Sequence, residues 1–154
     1  MTEPRVLLKE TCTEILAKMG IPATAEIGVE DGRATLNLVP KEEADSSLLI
    51  GFHGQTLNSL QTILGVILLR QAKEFFPFTV EVGEYRKERE EELRRRALEA
   101  ADKARFLLKE VSFPAMPPSE RRIIHLTLEG ERGVRTESRG EGRERHVVVV
   151  PEGK

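Results

Sequence analysis

Leu48-Leu49-Ile50-Gly51-Phe52-His53-Gly54-Gln55-Thr56-Leu57 is the stretch on which the fold turns. Two glycines three apart separate an apolar turn from a helical pattern that opens at Leu57. Glycine reaches positive φ at little cost and lets a second backbone come close. The N–H groups that begin the next helix point outward along its axis, where a negative charge is favoured. Helix, glycine loop, helix therefore predicts a cradle shaped for an anion.

Working back from the loop, Asp45 is placed to cap a single helical turn leading into Leu48-Leu49-Ile50. Before it lies a hairpin: Ala25, Ile27 and Val29 alternate with other residues, Asp31-Gly32 makes a tight turn, and Ala34, Leu36 and Leu38 alternate on the return until Pro40. Ahead of the hairpin, Leu8, Cys12, Ile15, Leu16 and Met19 repeat at helical spacing, with Pro4 suited to a first turn and Gly20 to a stop. Working forward, Leu57, Leu60, Leu64, Ile67 and Leu68 mark a helix to about residue 75. Pro77 breaks it, and Phe78, Val80 and Val82 alternate as a third strand.

This order, helix, strand, strand, helix, GxxG, helix, strand, resembles the αββααβ arrangement of type II KH domains, taking in residues 1–83. The resemblance implies a sugar-phosphate backbone lying over Gly51, Phe52, His53 and Gly54, with about four bases along a groove walled by apolar residues such as Ile50 and Leu57. Between the glycines, Phe52 can stack on a base and His53 can donate a hydrogen bond, where such loops often offer a lysine or arginine.

Residues 84–154 read as a second unit. It opens with a long charged helix over about residues 84–110, in which Glu90 and Arg94, Glu91 and Arg95, and Glu92 and Arg96 are spaced for ion pairs. Its other face, Leu93, Ala97, Ala101, Ala104 and Leu108, is apolar and needs a partner. The charge run reads as a solvated face. An extended piece follows at Val111-Ser112-Phe113, then a helix from Pro118. Two strands follow, over residues 134–138 and 146–150, joined through Gly140-Glu141-Gly142. The run Val147-Val148-Val149-Val150 suits a central strand buried on both faces.

On that helix, Arg121 and His125 are four apart and share a face, so together they can close on one phosphate; as a plain helix terminus they would instead satisfy backbone carbonyls. Placed between Pro114-Ala115-Met116-Pro117-Pro118 and the final strands, the pair resembles that of the R-three-H domain, named for an arginine and a histidine separated by three residues. A type II KH domain followed by an R-three-H domain is similar to the Jag family of bacterial RNA-binding proteins, and the likeness runs from residue 4 to Pro151. It implies binding of single-stranded nucleic acid, chiefly RNA; single-stranded DNA stays open, because a backbone grip at a GxxG distinguishes the two poorly. It implies a cytoplasmic location and links to cell division, cell-wall growth or sporulation. It also implies partnership with a small KH protein; a homodimer is the alternative partner, on the docking reading of the first unit. Arg122 and Arg145 are expected to join the basic face. With Met1 just before the first helix, the N-terminal domain many members carry is expected to be absent.

Composition fits this α+β reading. The net charge of −2 excludes a generally polycationic protein, so a nucleic-acid surface has to be a local patch that salt weakens. No apolar run reaches the ~18–20 residues a membrane span needs, and residues 1–5 lack the start of a secretion signal. Cys12 is the one cysteine, which excludes an internal disulfide. It reads as a small core residue, and His146 as a structural one. No Ser/His/Asp set, P-loop, paired carboxylates or metal-ligand spacing is present, so neither enzymatic activity nor a metal or cofactor is expected. A second reading treats the first unit as a docking or dimerisation surface with little RNA binding, on the strength of its acidic charge and uncharged loop.

Overall fold

The computed structural model describes residues 3–153. Pro4 opens α1 (Pro4–Met19), its fixed φ suited to a first turn, and Gly20 closes it in the left-handed conformation at φ 71°. Strands β1 (Ala23–Glu30) and β2 (Arg33–Pro40) form an antiparallel hairpin. Asp31 and Gly32 both take positive φ, 50° and 75°, the type I′ geometry that matches strand twist. The chain continues through α2 (Glu43–Ile50), a 3-10 turn at Phe52–Gly54, α3 (Gln55–Ala72) and β3 (Phe78–Val82). β3 lies parallel to β2, giving the sheet order β1-β2-β3. Asp45 does not cap α2: the helix starts at Glu43 after Glu42, without a side-chain cap, so Asp45 falls inside the first turn.

Two units divide the chain, residues 1–86 and 87–154, with the boundary inside α4 (Tyr85–Leu107). The first is α+β, and its core sets Leu8, Cys12 and Leu16 of α1 and Leu57, Leu64 and Leu68 of α3 among Leu36, Leu38 and Val80 of the sheet. Each such leucine contributes about 1.5–3 kcal/mol by leaving water. β3 is an edge strand, and Gln61 covers part of that edge: its Oε1 accepts from the Val80 N–H at 3.1 Å and from Arg86 Nη2 at 3.1 Å.

The second unit packs α4 and α5 (Pro118–Leu128) with a sheet of β4 (Val111–Ser112), β5 (Val134–Arg139) and β6 (His146–Pro151), ordered β4-β6-β5 and antiparallel throughout. The four valines of β6 are all buried, as a central strand requires. Leu93, Ala97, Ala101 and Ala104 of α4 are buried in this core, their small side chains allowing close approach. Leu108 does not join them: the helix ends at Leu107, and Leu108 takes the left-handed position usually left to glycine, at φ 54°, with its side chain 75% exposed. Glu90–Arg94 and Glu92–Arg96 pair as spaced. Arg95, with a glutamate four residues to either side, pairs with Glu99 at 2.8 Å instead of Glu91.

Candidate nucleic-acid interface

In the first unit the loop is built on backbone conformations that few residues tolerate. Gly51 sits at φ 70°, ψ −176°, a region essentially confined to glycine, and a Cβ there would stand 2.2 Å from Thr56 Oγ1. Gly54 is buried at φ 75°, and a Cβ on it would come within 3.1 Å of the Tyr85 ring. Between them His53 also takes positive φ, 52°, and its ring meets that of Phe52 edge-on, centroids 4.1 Å apart. Phe52 is 71% exposed, an aromatic face turned to solvent. The N-cap of α3 is Gly54, which has no side chain to satisfy the N–H groups of the first turn.

Ile50 is half-buried against the core at the base of the loop. Leu57 is different. It is wholly buried, so it supports the loop from beneath and does not wall a groove. The apolar spacing that marks Leu57 as a helix residue also marks the face that turns inward.

The second constellation assembles in the other unit. His125 on α5 is held at both ring nitrogens, Nδ1 at 2.6 Å from Thr136 Oγ1 and Nε2 at 2.7 Å from Ser138 Oγ. In the neutral ring the protonated nitrogen donates to its hydroxyl and the other accepts from its own. Thr136 and Ser138 are two apart on β5 and so share a face. The alternate residues Glu137 and Arg139 turn to the other face, where Arg139 also pairs with Glu110. Arg121 Nε donates to the Met116 carbonyl at 3.2 Å, and the Met116 N–H donates to the Arg145 carbonyl at 3.2 Å, so one backbone residue ties both arginines into place. Arg145 also donates from Nη1 to the Gly140 carbonyl at 2.8 Å. Burial holds His125 below the ordinary histidine pKa, and the charges of Arg121 and Arg145 lower it further. Arg121, His125 and Arg145 thus form one cluster. Arg122, one residue along α5, is exposed.

Most of the unit's other arginines are engaged by carboxylates. Arg89, Arg94, Arg95, Arg96, Arg105, Arg135 and Arg139 each pair with a carboxylate. Among the described residues none pairs with Arg121, Arg122 or Arg145. Thr136, Ser138 and the Met116 backbone are parts of this site that sequence spacing did not single out. The period of two linking Thr136 to Ser138 was a usable signal, but nothing in the sequence joined that face to α5. Among the described residues no cluster of His, Cys, Asp and Glu is arranged to hold a metal, and no helix is long and apolar enough to cross a membrane.

Residues 91–151 match the R-three-H domain family. The chain is 36% identical over 132 residues to the RNA-binding protein KhpB of Bacillus subtilis, covering 84% of this chain and 62% of that protein. Over 131 residues it is 32% identical to the KhpB of Clostridium symbiosum, covering 85% of this chain and 58% of that one. The KhpB of Lactiplantibacillus plantarum is 31% identical over 146 residues, 93% of this chain and 44% of its own. The chain thus spans roughly half to three-fifths of the length of these curated relatives. Arg121, His125 and Arg145 all fall inside the span that matches the R-three-H domain, and over most of its length the chain is similar to the KhpB proteins.

Proposed function

We propose that the chain binds single-stranded nucleic acid, chiefly RNA, through two surfaces and without catalysing a reaction. The observation that carries this reading is the pair Arg121 and Arg145 beside His125, left without carboxylate partners among the described residues, in a unit whose other arginines are mostly paired. Unpaired guanidinium groups offer forked donors to phosphate, and Thr136 and Ser138 add hydroxyls beside them. The R-three-H match and the RNA-binding relatives support the same conclusion.

The first unit contributes as a type II KH domain. Its loop, Gly51 to Gly54, positions the backbone while Phe52 offers a stacking surface. With no lysine or arginine in the loop, most of the phosphate affinity lies with the arginine cluster. In this reading the protein works in the cytoplasm, in post-transcriptional control tied to cell division, wall growth or sporulation, as the family resemblance implies. Fluorescence anisotropy with short single-stranded RNA, and with DNA of the same sequence, tests the reading. Micromolar or tighter binding that weakens steeply with salt is expected; no binding at low salt would overturn it.

One observation favours a second reading, in which the first unit docks a protein, a second copy or a small KH partner. Ile63, Val66 and Leu69 on α3 are each about half exposed and follow one another along the helix surface. Light scattering after size-exclusion chromatography separates the two: a stable dimer that ignores RNA favours docking.

A further inference from the structure

Glu120 is the one charged side chain buried among the described residues, 5% exposed, and it immediately precedes Arg121 in the first turn of α5. Arg89 of α4 grips it with both arms of its guanidinium: Nε donates to Oε1 at 2.8 Å and Nη2 to Oε2 at 3.1 Å. Arg89 is anchored in turn, its Nη1 donating to Glu92 Oε2 at 3.1 Å, while Glu92 Oε1 receives Arg96 at 2.8 Å. Hydrogen bonding to Glu120 raises the Arg89 pKa further, so the guanidinium stays charged. Arg89 lies just ahead of the span that matches the R-three-H family, residues 91–151.

A carboxylate one residue from Arg121, in the same helical turn, works against a bound phosphate through its charge. An acidic side chain is favoured in a helix's first turn for the same reason an external anion is. Unless its charge is offset, it would repel phosphate. We propose that Arg89 is a positioning residue for the anion site. By engaging Glu120 bidentately from α4, it offsets the carboxylate's charge in the turn that carries Arg121 and Arg122. The inference rests on the reading of that cluster as a phosphate-binding surface. Arginine suits the task better than lysine, because only the planar fork matches both carboxylate oxygens at once.

The test uses the full chain and two probes: inorganic phosphate, followed by NMR shifts of the Arg121 and His125 amides, and fluorescein-labelled oligouridine. Arg89→Gln should weaken phosphate binding about tenfold, since it leaves an uncompensated negative charge in the turn that carries Arg121. The double variant Arg89→Gln/Glu120→Gln should return to within about threefold of the unaltered chain, because the carboxylate is gone. Glu120→Gln alone should bind phosphate at least as well as the unaltered chain. A merely structural pair would behave otherwise, with both single variants and the double losing affinity together. Should Arg89→Gln fail to fold, Glu120→Gln and the double decide the matter, and phosphate loss in both would overturn the proposal. Unchanged phosphate binding in Arg89→Gln would overturn it too, as would the absence of phosphate shifts in the unaltered chain. Phosphate shifts that follow Arg89, with no oligouridine binding, would uphold the positioning role and sink the RNA reading.

Discussion

Gly51 passes so close to Thr56 that a Cβ on it would lie 2.2 Å from Oγ1, 2.8 Å from Cβ and 3.0 Å from the backbone nitrogen of the threonine. Sequence places these two residues on opposite sides of the loop; the structure folds one over the other. Gly51→Ala is expected to cost about 2–4 kcal/mol, combining the clash with a backbone region alanine avoids. Adding Thr56→Ala should recover only part of that, because the φ of 70° remains. Urea unfolding of the single and double variants measures both parts; full recovery in the double would show that backbone strain plays no role.

For the arginine cluster, removing one phosphate contact should reduce the salt dependence as well as the affinity. Arg121→Ala and Arg145→Ala are each expected to weaken RNA binding about tenfold and to lower the slope of log K against log salt by about one. Arg94→Ala and Arg135→Ala, whose guanidinium groups are already paired with carboxylates, should change neither. Titrations at several salt concentrations separate these outcomes, and equal losses across all four variants would point to a diffuse charge effect.

His125 gives the protein a pH dependence of definite sign. Its folded pKa lies below the ordinary 6.5, so as pH falls the unfolded chain takes up the proton first. The support that neutral His125 gives the fold is therefore complete above about pH 7 and is lost as pH drops through and below the ordinary value. A bound phosphate acts in the opposite direction by favouring the imidazolium, so RNA affinity should rise between about pH 8 and 6 while stability declines. His125→Gln should flatten both profiles over that interval. Thermal melts and anisotropy across the same buffers provide the comparison.

Phe52 is expected to matter for binding and hardly at all for folding. With 71% of its surface exposed, Phe52→Ala should shift stability by no more than about 0.5 kcal/mol. If a base stacks on the ring, the same change should cost about 1–3 kcal/mol of RNA affinity. A variant that loses stability and keeps affinity would take Phe52 out of the interface.

Cys12, wholly buried on α1, has its thiol pushed up to about 11 by burial. A thiol reagent at pH 8 should leave it untouched in the folded protein and modify it at once in denaturant, since only the thiolate reacts. Rapid labelling of the native state would show that α1 opens readily.

Much of the architecture could be read from periodicity, because the signals were local. Alternation at Ala34, Leu36 and Leu38, helical spacing at Leu57, Leu60 and Leu64, and the Asp31-Gly32 turn each need only a few neighbouring residues to declare themselves. Helix ends were less legible. Leu108 continues the apolar pattern of α4 perfectly well, and only the turn toward β4 takes it out of the helix. In the second site, Arg121 and His125 were visible as a spacing. Their surroundings were not, since Thr136, Ser138 and the Met116 carbonyl arrive through pairings between elements far apart in sequence. The Arg89–Glu120 pair was hidden for a related reason: one arginine among many in a charged helix gives no sign of which carboxylate it will meet.

The strand order β4-β6-β5 has a consequence for how the polypeptide acquires its shape during synthesis. The first unit has all its strands once residue 86 has emerged, whereas β4 and β5 form no ladder with each other and wait for residues 146–151 to come between them. The apolar side of α4 therefore leaves the ribosome well before the sheet that will cover it, and the arginine cluster takes form only when the last strand closes. A nascent chain arrested before β6 would carry a finished glycine loop and a half-made second unit, so the loop and the arginine cluster come into being one after the other rather than together.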